Sequence, residues 1–262
     1  MSFKGQNDDS KSHWVKRASL VDSRTSVTDV KFGPRHLGLL LATCSADGTV
    51  RIYEAPDVMN LGQWSLQHEI QCNLPCSCLS WNLSMFKSHT PIIAVGSDDS
   101  TTHGPKVFVY EFNETGRRWV RVESIMTISD AVHDIAFAPN IGRSYLVLAA
   151  ATNKDLRIIS MKNSEEPAVT NSKRGENEVS SKYQVRLAGH YNDHGSTVWR
   201  VCWNVTGTIL ATSGDDGQVR LWKANYLDDW KCVAVLRGDG QGGHSIPIAP
   251  SIFAQKPKFL AQ

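Results

Sequence analysis

Two segments of the chain, 169 residues apart, share one hairpin pattern. They are LATCSADGTVRIY (Leu41 to Tyr53) and LATSGDDGQVRLW (Leu210 to Trp222), which agree at seven of thirteen positions. An Asp-Gly pair between apolar stretches favours a β-hairpin, because glycine accepts the positive φ that the turn imposes. The turn residues are Asp47, Gly48 and Gly217. A hairpin repeated at this distance predicts a modular fold.

The other strands of such a module also recur. An apolar first strand occurs four times, as Val27-x-x-Val30-x-Phe32, Cys76-x-x-Leu79-x-Trp81, Val132-x-x-Ile135-x-Phe137 and Val198-x-x-Val201-x-Trp203. Second and third strands follow each copy. Alternating fourth strands fit roughly at Trp64–Gln71, Arg118–Ile125, Tyr183–Leu187 and Trp230–Leu236. Four short strands per unit predict an all-β fold, a β-propeller with one unit in each blade.

These patterns divide the chain into a disordered start (1–11), one propeller (12–237) and a disordered tail (238–262). Blades are expected at about 26–72, 75–126, 130–188 and 194–237. Residues 162–180 are polar and mixed in charge, which predicts a mobile surface loop. The tail is rich in Gly and Pro but holds apolar residues such as Ile252 and Phe253. A short binding motif there is the less favoured alternative.

Charge and hydropathy bear on contact with nucleic acid, on secretion and on membrane insertion. The chain has 28 basic and 26 acidic residues, and this net charge of +2 argues neither for nor against a nucleic-acid partner. No basic run suggests a groove that follows phosphates, and no direct nucleic-acid partner is expected. The N-terminus lacks the apolar region of a signal peptide, and no stretch approaches the roughly 18 apolar residues that span a membrane. We therefore expect no membrane insertion, a cytosolic or nuclear location, and six reduced cysteines.

Cys72, Cys76 and Cys78 form one cluster that a metal site would require. Cys76 and Cys78 are expected on one face of a strand, inside the repeated apolar pattern. No second Cys or His pair lies close in sequence to complete a tetrahedron. Core packing is favoured, and the sequence predicts no metal and no cofactor.

Candidate catalytic groups all have a structural interpretation. Asp98-Asp99 and Asp215-Asp216 occupy turns where Asp is favoured by geometry, and Asp228-Asp229 is expected in a solvated loop. The segment from Gly189 to Thr197 has no P-loop lysine, and no G-x-S-x-G motif occurs. His190 is expected in a loop. The chain is therefore predicted not to be an enzyme.

The third strands end where WD-repeat proteins carry their Trp-Asp dipeptide. Here the dipeptides are Tyr53-Glu54, Tyr110-Glu111, Ile159-Ser160 and Trp222-Lys223, so the chain resembles that family in a degenerate form. The last unit carries His194, Ser213, Asp216 and Trp222. The resemblance implies that these four form a buried hydrogen-bonded chain that locks the blade. A buried imidazole and carboxylate are tolerated when each satisfies the other.

Loop residues narrow the resemblance further. SHWVKRASLVDSRTSVTDVKF, EAPDVMNLGQWSLQHEI, VHDIAFAPNIGRS and VWRVCWNVTGTILATSGDDGQVRLWKANY resemble the Seh-one family of WD-repeat nucleoporins, sister to the Sec-thirteen coat proteins. Shared loops are more specific than shared strands, because a propeller demands only the strands. The resemblance implies a scaffold of the Y-shaped nuclear pore complex, at the nuclear envelope. It also implies membership of the GATOR complex, which relays amino-acid availability to TOR kinase at the lysosomal surface, and a cytoplasmic pool.

The implied partners are an α-solenoid nucleoporin that donates a blade, and the WD-repeat and solenoid subunits of GATOR. The family form is an open propeller of six blades, whereas this chain has four complete ones. Residues 13–20 are expected to be an orphan outer strand of a further blade. The chain is thus expected to be a truncated form whose last blade, Val198 to Leu236, keeps half of the docking gap. Alternatives are another WD-repeat adaptor (a vesicle-coat subunit or ubiquitin-ligase receptor), or an enzyme with polar groups converging on the channel.

Overall fold

The computed structural model describes residues 15–83, 90–164 and 182–238. These ranges form four antiparallel sheets of four strands each, with one short 3-10 turn at Arg35–Leu37. The predicted fold class, an all-β WD-repeat β-propeller with four blades, is confirmed. No helix in the described ranges is long and apolar enough to cross a membrane.

Each blade is a meander in which consecutive strands pair. Blade one contains β1 (Val27–Phe32), β2 (Leu40–Ser45), β3 (Thr49–Glu54) and β4 (Ser65–Gln71). Blade two contains β5 (Cys78–Trp81), β6 (Ile92–Gly96), β7 (Val107–Asn113) and β8 (Arg118–Ser124). Blade three contains β9 (Val132–Phe137), β10 (Leu146–Thr152), β11 (Leu156–Asn163) and β12 (Tyr183–Tyr191). Blade four contains β13 (Val198–Trp203), β14 (Ile209–Gly214), β15 (Gln218–Ala224) and β16 (Trp230–Arg237).

Apolar cores lie between consecutive blades. One cluster joins the second and third strands of blade one to blade two, and two more join blades two to three and three to four. The repeated first-strand pattern supplies the covered side of each contact: Leu79, Val132 and Val198 are all fully buried. A sheet has two faces, so each inner blade packs against both of its neighbours.

Hydrogen bonds between first strands tie the same blades together. Side-chain oxygens near the middle of one first strand accept a backbone N–H from the next: Asp29 from Leu79 (3.1 Å), Ser80 from Phe137 (2.9 Å) and Asp134 from Val201 (3.0 Å). Two indoles add bonds in the same direction, from the following first strand to a backbone carbonyl of the preceding one: Trp81 to the Lys31 carbonyl (3.2 Å) and Trp203 to the Ala136 carbonyl (2.9 Å). These bonds set the spacing of neighbouring blades because each spans a fixed short distance.

Two sequence expectations need correction here, and others fall outside the described residues. Residues 15–20 of the expected orphan strand, 13–20, are not a strand; an extended segment without a partner leaves its backbone groups unpaired. Lys162 and Asn163, expected in a mobile loop at 162–180, belong to β11 and pair with Gln184 and Tyr183. The rest of that loop from 165 on, the start (1–11) and the tail after 238 lie outside the described residues.

The predicted Asp-Gly turns connect β2 to β3 and β14 to β15. Gly48 and Gly217 have φ values of 77° and 67°, in the left-handed region that favours glycine. The N–H of Gly48 donates to the Ser45 carbonyl (3.0 Å), and that of Gly217 to the Gly214 carbonyl (3.2 Å). The two glycines differ in the room around them for a side chain. A Cβ on Gly48 would lie 2.7 Å from the Leu74 carbonyl oxygen, whereas a Cβ on Gly217 would meet no atom within 4 Å.

This pair gives a matched test of backbone strain against steric clash. We expect Gly217→Ala to lower the free energy of unfolding by about 1 kcal/mol, the strain of positive φ alone. Gly48→Ala should cost more than that, because the Leu74 backbone must also shift. Urea unfolding of both variants measures the difference, and equal losses would contradict the close approach at Gly48.

Candidate functional site

A buried polar chain crosses blade four. The Trp222 indole donates to the Thr212 hydroxyl (2.9 Å), which lies 2.8 Å from His194 Nε2. The other ring nitrogen, Nδ1, lies 2.9 Å from Asp216 Oδ1. An indole only donates and a carboxylate only accepts, so a neutral imidazole protonated at Nδ1 satisfies every member. The chain joins the turn after β14 to the middle of β15.

The structure brings together three of the four predicted members, His194, Asp216 and Trp222. The expectation for Ser213 is corrected, because the hydroxyl in the chain belongs to Thr212. Successive side chains of a strand point to opposite faces. Thr212 points into the buried interior, whereas Ser213 lies on the other, partly exposed face of the blade.

Sequence reasoning missed the cation that completes this chain. Arg220 donates to Asp216. Its Nη1 also lies 3.0 Å from His194 Nδ1, a close approach of two donors held together by the carboxylate that both contact. Burial raises the pKa of the Asp216 carboxyl, but hydrogen bonds from His194 and Arg220 outweigh it and leave that pKa below its usual value. Asp216 is therefore held as a carboxylate at neutral pH.

Every blade has an equivalent ion pair. The turn between its second and third strands supplies an aspartate, and a basic residue on or just before the third strand pairs with it. The pairs are Asp47–Arg51 (3.3 Å), Asp99–Lys106 (3.0 Å), Asp155–Arg157 (3.0 Å) and Asp216–Arg220. The Val-Arg dipeptide shared by both repeated hairpins was the sequence signal for this pair.

Two other polar expectations change. His190, expected in a loop, lies on β12 with Nε2 2.7 Å from Asp155 Oδ2. Asp228, expected to be solvated, accepts the Tyr145 hydroxyl at 2.8 Å. Both contacts join elements that are distant in sequence, so local sequence patterns carried no sign of them.

The cysteine cluster lies in the packed interior. Cys72 and Cys76 belong to the core between blades one and two, whereas Cys78 belongs to the core between blades two and three. The expectation that Cys76 and Cys78 share a face is wrong, because β5 begins only at Cys78 and the two side chains lie in different cores. Within the described ranges, no three His, Cys, Asp or Glu residues are arranged to hold a metal ion.

Blade one presents an open apolar face. We call this surface the leading face; it consists of the first-strand residues Val27, Val30 and Phe32. Their exposed fractions are 51%, 52% and 63%. Their counterparts in blade three are Val132, Ile135 and Phe137, with at most 3% exposure. In blades two to four the preceding blade covers this position.

Blade four presents the complementary open face. Ala211, Ser213, Val219 and Leu221, the trailing face, occupy the hairpin positions that in blade one pack against blade two: Ala42, Cys44, Val50 and Ile52. Val50 is fully buried, but Val219 is 36% exposed. The described residues thus leave a blade face open at each end of the array, and the expected docking on the last blade stays a prediction.

These two faces can bind a sheet but show no catalytic arrangement. Each offers apolar side chains at the spacing that a neighbouring blade covers elsewhere in the chain. The physical consequence of covering such a face is burial of apolar area, at about 25 cal/mol per Å². Partner strands that supply a blade would be bound in this way.

The polar chain itself generates a test of stability. Thr212→Val keeps the shape but removes the oxygen that accepts from Trp222, so we expect a loss of about 1–3 kcal/mol in the free energy of unfolding. Ser213→Ala, the neighbouring control, should change it by less than about 0.5 kcal/mol. Urea midpoints measure both, and similar small losses would refute the role of Thr212.

A further test uses acid. The Ser45 hydroxyl, with Thr49 N–H and Arg51, lowers the pKa of Asp47 from 3.8 to about 2. A depressed folded-state pKa adds stability that is full above 3.8 and is lost as pH falls through about 2. We therefore expect Asp47→Asn to be less stable than the unaltered chain at about pH 6, with a difference that shrinks as the pH approaches about 2. A difference independent of pH would contradict this.

Comparison with known sequences agrees with the fold. The family profile "WD domain, G-beta repeat" matches residues 14–54 and 183–223. The second match covers the outer strand of blade three and the first three strands of blade four. A repeat in this profile therefore begins with the outer strand of one blade and continues into the next blade. The match from residue 14 places the segment before β1 at the position of such an outer strand.

Three curated relatives are similar over most of the chain. Nucleoporin SEH1-A of Xenopus laevis is 60% identical over 230 residues, which is 87% of this chain and 62% of that protein. Nucleoporin SEH1 of Homo sapiens is 59% identical over the same coverage, and that of Bos taurus is 57% identical over 248 residues, 92% of this chain and 67% of the relative. The chain thus spans about two thirds of the length of these relatives.

Proposed function

The chain belongs to the nucleoporin SEH1 family of WD-repeat proteins, and from this we propose that it is a non-enzymatic scaffold subunit of the nuclear pore complex. The identity to relatives named nucleoporins carries the proposal. A propeller with uncovered blade faces is suited to the role, because it offers rigid docking surfaces without any need for chemistry. Its site of action is the nuclear envelope, in support of mRNA and protein transport.

Within the pore, the proposed assembly is the Y-shaped complex. The proposed direct partner is an α-solenoid nucleoporin that contributes strands as an extra blade. The trailing face supports this choice of contact, because Val219 and its neighbours repeat the positions through which blade one binds blade two. The partner's strands would bring the alternating apolar residues that blade two brings to blade one.

A second proposed assembly is the GATOR complex, which connects amino-acid supply to TOR signalling. The same faces would bind its WD-repeat and solenoid subunits at the lysosomal surface, and unassembled chain would be cytoplasmic. The near-neutral charge of +2 favours contact through proteins over direct contact with nucleic acid or lipid.

The proposal is tested by location and by captured partners. A fluorescent fusion should mark the nuclear rim, and affinity purification should recover an α-solenoid nucleoporin, with GATOR subunits in a second pool. Recovery of vesicle-coat or ubiquitin-ligase subunits instead, without rim fluorescence, would replace the proposal with the adaptor alternative. Val219→Asp should reduce recovery, whereas Val205→Asp, at a loop position 86% exposed, should not.

Partner binding should be weaker than for a six-bladed relative. The described residues offer the trailing face, but they include no counterpart of the first blade of the family form, which provides the other side of the docking gap. Titration of the solenoid partner's N-terminal strands against both proteins measures the difference. Equal affinities of the two proteins would contradict the weaker binding. Equal losses from Val219→Asp and Val205→Asp would contradict a contact on blade four.

A further inference from the structure

An exposed aromatic pair lies where blades two, three and four meet, at the end of the sheets that carries the turns between second and third strands. The Trp199 side chain at the start of β13 is 46% exposed. Its ring centroid lies 4.4 Å from that of His133 at the start of β9, with 42° between the planes. The exposed indole leaves a planar apolar surface with a polar N–H available for contact.

Two carboxylates flank this pair. The Val132 N–H donates to the Ser97 carbonyl (2.9 Å), which places Asp98 of blade two beside His133. The Asp215 N–H donates to the Thr197 carbonyl (3.0 Å), and Asp215 Oδ1 accepts the Trp199 indole at 2.5 Å. Both carboxylates act electrostatically on the His133 ring. The group thus joins three blades through four side chains.

The two carboxylates have no cationic partner in the described part of the chain. Neither Asp98 nor Asp215 forms an ion pair there, whereas the adjacent Asp99 and Asp216 are paired with Lys106 and Arg220. Lys154, on the corresponding turn of blade three, is paired with Asp130 (2.8 Å).

The histidine does not supply the missing charge. Burial lowers the pKa of His133, although Asp98 and Asp215 act to raise it, and the ring is neutral at pH 7. Arg200 follows Trp199 directly on β13 at a β-bulge, and both side chains are exposed. The Arg200 charge acts on Asp134, and within the described residues Arg200 forms no ion pair with Asp98 or Asp215. The site therefore joins an exposed indole to two carboxylates that form no ion pair in the described residues.

We propose that Trp199, His133, Asp98 and Asp215 bind an arginine side chain of a partner protein. A guanidinium is planar, stacks on an indole face and donates to carboxylates on either side, which a compact ammonium group does less well. The site is on the turn side of the propeller, apart from the leading and trailing faces. It goes beyond the proposed scaffold function and would leave both blade faces free.

The experiment uses the full chain labelled with ¹⁵N and the peptide acetyl-Gly-Arg-Gly-amide as probe. The Trp199 indole N–H signal, assigned by its loss in Trp199→Phe, should shift and saturate with the arginine peptide. The citrulline peptide, which keeps the shape without the charge, should leave it unchanged. A lysine peptide should bind more weakly, and added salt should weaken all binding to exposed charges.

Matched variants separate the site from general attraction. Asp98→Asn and Asp215→Asn should each weaken arginine binding by about twofold to fivefold. Asp215→Asn keeps an oxygen that can accept from the Trp199 indole. Glu114→Gln, an exposed acidic residue at the opposite end of blade two, should have no effect. Backbone spectra that match the unaltered chain show that each variant is folded.

Three outcomes would overturn the proposal. They are equal shifts with arginine and citrulline, binding of lysine as tight as arginine, and losses no larger for the aspartate variants than for Glu114→Gln. Because the readout is the chain alone with a short peptide, failure here leaves the nuclear pore proposal intact.

Discussion

The structure depends on the way one blade covers the next. A four-stranded sheet with two apolar faces cannot bury both by itself, so each first strand must be packed beneath the preceding blade. The side chains of Asp29, Ser80 and Asp134 fix that packing, because each accepts a backbone N–H of the following first strand. Burial of apolar area supplies most of the free energy that holds two blades together. The hydrogen bonds fix the distance and the relative orientation of the two blades. The open faces at the two ends follow directly from this constraint.

A second constraint acts within each blade, at the turn between its second and third strands. An aspartate there would be a weak determinant alone, but a basic residue on or near the third strand holds it in every blade. The pairs are mostly shielded from water, so removing one partner would leave a poorly solvated charge. In blade four the pair extends through His194 and Thr212 to Trp222, which ties the turn to the interior. Turn shape and packing between blades are thus connected by one set of polar groups.

The sequence predicted the repeating architecture but not which side chains complete it. Strand period and Asp-Gly turns are local signals, and the fourth strand of blade two, expected at Arg118–Ile125, ends one residue earlier at Ser124. Thr212 and Ser213 are adjacent hydroxyl residues, so their roles depend on which face of β14 is buried, and that is a tertiary fact. The contact of His190 with Asp155 joins β12 to the turn between β10 and β11, for which no spacing rule exists. For residues 15–20 the local pattern predicted a strand that the structure does not form, because a strand also needs a neighbouring strand to pair with.

The open faces and the Trp199 site differ in the physics of recognition. The leading and trailing faces carry the same apolar contacts that join neighbouring blades elsewhere in the chain. They therefore select a partner sheet whose apolar residues alternate in the same way, more than particular residues. At the meeting of blades two to four, recognition would instead rest on one exposed indole and two carboxylates that the described residues leave outside any ion pair, a combination that selects for charge and planarity. Apolar faces tolerate many substitutions of similar size, whereas a charged site loses its preference when one carboxylate is neutralised. A scaffold that uses both can bind one partner through its blade faces while a basic segment of a second partner occupies the turn side.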